Sequence, residues 1–262
     1  MPQIDVPLTR GRFGETARPD NWWIQPLVVF LGFSTFIVYS TWAALQGANY
    51  SSGPLLSPFY SPLLYGPEPY AWFGSSAPSW FPSFLPFSSA FLILWIPGGF
   101  RFTCYYYRGA YYKAFWQDPP NCAVGEPRKK YWGERTFPLI IQNIHRYFMY
   151  LAVAFIFLLA HDVWEATKFE NGFGVSVGTL VLAVNTVLLG CYTFGCHSFR
   201  HLVGGMKDIL SASPARKKAY DCVGCLNSRH MKFAWFSLCA VGFSDLYVRM
   251  CAMGIWTDYR IF

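Results

Sequence analysis

Five long apolar stretches constrain what this chain can fold into. Each is close to the roughly 20 residues that a helix needs to cross the hydrocarbon core of a bilayer. Of the 262 residues, 53% are hydrophobic and only 13% are charged, which is too apolar for soluble domains. The sequence therefore predicts an all-α integral membrane bundle, a single domain over residues 1–262. The predicted spans are residues 26–46, 80–100, 138–160, 175–195 and 233–254.

Positive charges are concentrated in alternate segments between these stretches. Arginines precede the first span, and lysines and arginines cluster after the second and after the fourth, whereas the opposite loops and tail carry only Lys168 and Arg260. Short basic loops favour the cytoplasmic side. We therefore expect a cytoplasmic N-terminus and an outside C-terminus, in the inner (plasma) membrane. The net charge of +7 reflects this topology and does not imply nucleic-acid binding.

Histidines and cysteines converge on the predicted cytoplasmic end of the bundle. His161 is the exception, because sixteen residues of helix place it about 24 Å from His145. Polar groups in a membrane are costly unless they are partnered, so such a cluster indicates a metal or redox centre. The candidate metal ligands are Cys104, Cys122, Cys196, His145, His197, His201 and His230.

Simpler interpretations exist for these side chains. His145 can hydrogen-bond between helices, and His197 and His201 share one helix face, where they can meet lipid headgroups. Cys222 and Cys225 form a lone CxxC, which needs two further ligands to hold zinc. We interpret these two cysteines mainly as surface thiols.

Two charged residues within the last span offer a different class of function. Asp245 and Arg249 could line a pathway in a transporter or a metal-handling protein. At four residues apart on one helix, however, they are expected to pair with each other, which suits a static bundle. Discontinuous spans and internal pseudosymmetry, the usual indications of a transporter, are not visible in the sequence.

Four runs of sequence resemble a known family. They are "FRFTCYYYRGAYYKAFWQDPPNCAVGEP", "LIIQNIHRYFMY", "CHSFRHLVGG" and "LNSRHMKFAWFSL". The chain resembles the single-chain, five-helix membrane anchor of succinate dehydrogenase. The resemblance implies the anchor and quinone-reducing subunit of respiratory complex II, with flavoprotein and iron–sulfur subunits as partners on the cytoplasmic side. Succinate oxidation itself would belong to those partners, since no flavin-binding motif is present here.

The resemblance is to the haem-free branch, which implies a Rieske-type [2Fe–2S] cluster in the anchor. Such a cluster takes two thiolates and two imidazoles, and the chain offers more candidates than that. We favour Cys196 with His201 and His230 nearby, without selecting the four ligands. The alternative is a b-type cytochrome with one inner haem held by two of the four histidines. An outer haem lacks a second histidine beside His161.

The quinone, menaquinone or ubiquinone, is expected near the same end. Its carbonyls need hydrogen-bond donors and its ring needs an apolar, aromatic slot. Among the donors, Arg146 is favoured because it is a permanent cation inside an apolar span, next to His145. The candidate quinone-binding residues are Arg101, Tyr106, Trp132, Gln142 and Arg146.

Overall fold

The structure is a computed structural model, and it describes residues 20–82, 84, 87–115, 137, 139–169 and 172–262. These residues are mostly helical, as predicted, with only two short hairpins, in which β1 (Ser51–Ser52) pairs with β2 (Leu55–Leu56) and β3 (Lys168–Phe169) with β4 (Gly172–Phe173). The α-helices are α1 (Ile24–Gln46), α2 (Ser89–Thr103), α3 (Tyr105–Phe115), α4 (His145–Glu165), α5 (Val177–Phe194), α6 (His197–Gly204), α7 (Pro214–Asn227) and α8 (His230–Ala252).

Helices form at all five predicted spans. The second differs most, because α2 begins at Ser89 rather than near residue 80. The preceding segment contains Pro78 and Pro82, which lack backbone donors and disfavour helix. Three described helical segments are long and apolar enough to cross a membrane: Ile24–Gln46, Ile140–Glu165 and Val177–Phe194. The five-span count and the orientation of the termini stay predictions.

The chain divides into two compact units. The first comprises Met1–Thr35 and Phe102–Gln142, and the second comprises Phe36–Arg101 and Asn143–Phe262. Within the first unit, aromatic rings join α1 to α3. The centroids of Phe33 and Tyr107 lie 5.0 Å apart. Within the second unit, α5 packs against both α4 and α8, and α6 packs against α7. The single-domain assignment stays a prediction.

The Pro- and Ser-rich loop after α1 is folded into the second unit. Residues 55–63 are all buried, and the hydroxyl of fully buried Tyr60 donates to the carbonyl of Ala43, 2.9 Å away. Tyr60 also stacks on Tyr50, with ring centroids 4.3 Å apart. The repeated prolines keep this loop out of helix, and its buried side chains pack against the end of α1 and the start of α2.

Asp245 and Arg249 form a buried ion pair in α8. Their side chains are 0% and 1% exposed, and Nε of Arg249 lies 3.3 Å from Oδ2 of Asp245. The hydroxyl of Tyr39 donates to Asp245 at 2.6 Å, and the Ser57 hydroxyl donates to the other carboxylate oxygen. Arg249 donates to the carbonyl of Ala48 at 2.9 Å. The predicted pairing is confirmed, and it ties α8 to α1 and the following loop.

The start of α5 allows a test of this packing. The Ser176 hydroxyl accepts from the backbone N–H of Thr179 at 3.1 Å, and Thr179 Oγ1 accepts from the N–H of Ser176 at 3.2 Å. This is a capping box. We expect Ser176→Ala to lower the free energy of unfolding by about 1 kcal/mol, measured by denaturant titration in detergent micelles. Thr186→Ala is the control, because the Thr186 hydroxyl bonds within the helix, to the carbonyl of Leu182. An equal effect of both changes would contradict the capping role.

Candidate functional site

A buried thiol and a buried imidazole meet in the second unit. His145 is the first residue of α4, and Cys196 lies between the end of α5 and the start of α6. Nε2 of His145 is 3.0 Å from Sγ of Cys196, and the two residues are only 5% and 2% exposed. Water is therefore excluded from a pair of groups that are both strong metal ligands.

Aromatic rings hold two imidazoles in place beside this contact. His145 stacks on Phe100, with centroids 4.8 Å apart and planes within 8°. His230, the first residue of α8, stacks on Tyr192 at 4.8 Å and 16°. The rings of Phe100 and Tyr192 meet at 5.3 Å, edge to face. The two stacked pairs thus form one cluster, which we call the aromatic cage: Phe100, His145, Tyr192 and His230.

Arg101 links three helices next to the aromatic cage. Its Nη1 donates to the carbonyl of Ala234 at 3.2 Å, and its Nη2 donates to Oγ of Ser237 at 2.9 Å. Its guanidinium carbon lies 4.7 Å from the centroid of the Tyr192 ring. Arg101 therefore connects α2 with α5 and α8. Two of its nitrogens already donate hydrogen bonds within the protein. These bonds compete with its predicted role as a hydrogen-bond donor to quinone.

The other histidines are exposed. His197 and His201 are exposed on α6, with their Nε2 atoms 3.1 Å apart. Partial burial lowers the pKa of His197, and the nearby His201 and Arg200 lower it further. His161 is exposed on α4, and its Nε2 lies 3.4 Å from Oε1 of Glu165. The pair on α6 is therefore preorganised to chelate, but on a surface.

The remaining cysteines have different surroundings. Cys104 is buried in the first unit, between α2 and α3, whereas Cys122 lies outside the described residues. Cys222 and Cys225 are exposed on α7, as expected of surface thiols. Cys239 is exposed on α8. None of the described cysteines is in a disulfide.

The described residues contain no group of three or more His, Cys, Asp or Glu side chains placed to hold one metal ion. The closest approach is the His145–Cys196 pair, with His230 in the same cage. A two-iron cluster needs its ligands around two metal positions and not around one, because its thiolates and its imidazoles bind different irons. One thiol and two imidazoles in the second unit fit part of that ligand set.

The predicted quinone ligands are also distributed over both units. In the first unit, Gln142 is buried and its Oε1 accepts from Nη1 of Arg108. The amide nitrogen of Gln142 has no partner among the described residues. Tyr106 is half-buried in the same unit, and Trp132 lies outside the described residues. In the second unit, Arg146 is exposed.

Sequence reasoning missed Phe100, Tyr192 and Arg108. Spacing gives a signal for Tyr192 alone, because it lies four residues before Cys196 on the face of α5 that leads into the cluster. Phe100 and Arg108 act through residues distant in sequence, and nothing in the local pattern distinguishes them from the many other aromatic and basic residues of this chain.

The fold and these contacts define a helical protein with apolar, membrane-spanning segments and a buried thiol–imidazole cluster. A family model for the actinobacterial succinate dehydrogenase subunit SdhC matches residues 24–254. The chain belongs to this family of membrane-embedded subunits. A chain of the solved structure "Mycobacterium smegmatis Sdh1 complex in the apo form" is 40% identical, with a TM-score of 0.86 and 97% of each chain covered. Curated proteins give no significant match. The resemblance to a succinate dehydrogenase anchor is confirmed.

Proposed function

We propose that this chain anchors a succinate:quinone oxidoreductase in the membrane and passes electrons from the iron–sulfur subunit, through a bound redox centre, to quinone. Membership of the SdhC family makes it a subunit of succinate dehydrogenase, an oxidoreductase. Its partners are therefore the flavoprotein and iron–sulfur subunits, together with the membrane. The observation that supports the electron route is the buried contact between His145 and Cys196.

The redox centre that these residues fit best is a Rieske-type [2Fe–2S] cluster. His145 and His230 would supply the imidazoles and Cys196 one thiolate, and the second thiolate stays a prediction. When bound, the cluster would carry single electrons at a potential above that of all-cysteine clusters. Phe100 and Tyr192 stack on the two imidazoles and restrain the planes of both rings.

An inner haem would use the same histidines differently. A b-type haem would be held by two imidazoles, whereas Nε2 of His145 lies 3.0 Å from the Cys196 thiol. A mixed pair of nitrogen and sulfur therefore favours the iron–sulfur alternative. The test is the spectrum of the purified complex. We expect no Soret band and a rhombic EPR signal after reduction. A Soret band without this signal would favour the cytochrome.

For the quinone, the structure favours the surroundings of Gln142. Its amide nitrogen is a buried donor, and Arg108 holds the amide oxygen, which fixes the orientation of the group. A quinone carbonyl gains negative charge on reduction, so a preorganised donor stabilises the transition state. Tyr105, whose ring lies 4.7 Å from the Arg108 guanidinium, would offer an aromatic wall.

We expect Gln142→Leu to lower succinate-to-quinone activity by about 100-fold, because a preorganised donor is lost. Succinate oxidation by an artificial acceptor that bypasses the membrane should stay at the parent rate. Arg146→Leu is the comparison, since sequence reasoning favours Arg146 but its side chain is exposed. Loss of quinone reduction in Arg146→Leu alone would place the quinone on that exposed face of α4 instead.

The basic segments 101–137 and 197–232 are proposed as the docking face for the iron–sulfur subunit. This role requires both segments to be cytoplasmic. Residues 116–136 lie outside the described part of the chain. The exposed Lys168 should then lie outside the cell. We expect Lys168→Cys to be labelled by a membrane-impermeant maleimide in intact cells, above the background of the parent protein. Labelling in inverted vesicles only would reverse the orientation and remove the docking proposal.

A further inference from the structure

We infer that Arg101 is a positioning residue that raises the reduction potential of the centre held by the aromatic cage. This inference rests on the proposed function, because it concerns the potential of the proposed cluster. It assigns to Arg101 a role different from direct contact with quinone. The contacts of its guanidinium carry the argument.

The guanidinium of Arg101 is fixed on two sides. Its two terminal nitrogens donate to Ala234 and Ser237, one turn and two turns into α8 from His230. Because Ala234 is four residues after His230, these bonds are made on the same face of α8 as the imidazole. Arg101 therefore holds the first turns of α8, and with them His230, against α2.

The third contact of Arg101 places its positive charge next to the aromatic cage. The guanidinium lies over the ring of Tyr192, 4.7 Å from its centroid, and the same ring stacks on His230. The charge of Arg101 also acts electrostatically on His230. Arg101 and His230 thus both pack on the ring of Tyr192, which places a permanent cation close to the imidazole. Arg101 follows Phe100 in α2, so one helix supplies both the ring that stacks on His145 and the cation.

A positive charge at this place has a defined effect on electron transfer. Accepting an electron makes the centre more negative, and a nearby cation stabilises that state. Arg101 is half-buried beside the buried rings of Phe100 and Tyr192, so solvent screens its charge less than at the surface. Arg101 should therefore raise the reduction potential and favour electron flow from the iron–sulfur subunit into the anchor.

The test is a redox titration of the purified three-subunit complex, followed by EPR. For Arg101→Gln we expect an assembled cluster whose equilibrium constant for accepting one electron is about tenfold smaller. This corresponds to a reduction potential lower by about 59 mV for a one-electron couple. Arg101→Lys keeps the charge and should stay near the parent potential. Arg216→Gln is the matched control. Arg216 also binds two carbonyls, those of Val203 and Gly205, each at 2.5 Å, but it is not stacked on the cage.

The outcomes separate this inference from the proposed function. A parent complex without the Rieske signal would overturn both. A parent signal with an unchanged potential in Arg101→Gln would overturn only the role of Arg101. An equal fall in Arg101→Lys would mean that geometry, not charge, sets the potential, and would also overturn the inference. If Arg101→Gln lost the cluster, Ser237→Ala would be the deciding variant, because it removes the acceptor of one guanidinium nitrogen. We expect a smaller fall of the reduction potential in Ser237→Ala. An unchanged potential in this variant would contradict the proposal.

Discussion

Replacing Cys196 with alanine is expected to remove the redox centre and abolish succinate-to-quinone activity, while the complex stays in the membrane. The thiol is buried against His145 at 3.0 Å, so the change deletes a proposed ligand at a place that solvent does not reach. Insertion depends on the apolar helices, not on this side chain. The measurements are EPR of the reduced complex, quinone reduction, and succinate oxidation by an artificial acceptor, which should persist. His145→Ala should behave in the same way.

Two variants serve as controls for this result. Cys239→Ala removes a thiol that is exposed on α8, and His201→Ala removes an imidazole that is exposed on α6. Both should keep the parent signal. A parent-strength signal in Cys196→Ala would contradict the ligand assignment. Loss of the signal in His201→Ala but not in His145→Ala would instead support the set favoured by the sequence, in which His201 accompanies Cys196 and His230.

The sequence predicted the membrane fold because apolar length alone requires it. Stretches of about 20 apolar residues leave few alternatives to helix in a bilayer. The same reasoning placed four histidines (His145, His197, His201 and His230) with Cys104 and Cys196 at one end of the bundle, without singling out His145. It could not predict where α2 begins, since aromatic and apolar residues continue through a Pro-rich segment without a change in hydropathy.

Contacts between residues that are distant in the chain could not be predicted from the sequence. Four histidines and three cysteines were candidates at one end of the bundle, and hydropathy cannot select among them. The structure shows ring stacking that joins distant positions: Phe100 is 45 residues from His145, and Tyr192 is 38 residues from His230. Similarly, the i,i+4 pairing of Asp245 and Arg249 follows from helix geometry, whereas the donor from Tyr39 depends on how α1 packs on α8.

The buried polar network around Asp245 is a separate contributor to stability, distinct from the contact between His145 and Cys196. Its carboxylate receives hydrogen bonds from Tyr39, Ser57 and Arg249, which belong to α1, the loop after β2 and α8. A carboxylate inside a membrane bundle is tolerable only with such partners. The three donors also explain why the charge can be kept in a static bundle without a transport pathway.

We expect Asp245→Leu to lower the free energy of unfolding by about 3–5 kcal/mol, because it leaves the Arg249 guanidinium buried without its counter-charge. The measurement is denaturant titration of the chain in detergent micelles. The double variant Asp245→Leu/Arg249→Met should recover most of the loss, since both charges are then absent.

The control is Lys217→Ala. The Lys217–Asp221 pair has the same i,i+4 spacing and a shorter contact of 2.6 Å, but it is exposed on α7. Solvent screens such a pair, so its loss should cost only about 0.3–0.5 kcal/mol. Equal effects at the two pairs would mean that spacing alone, and not burial, determines their contribution, and would contradict the network described above.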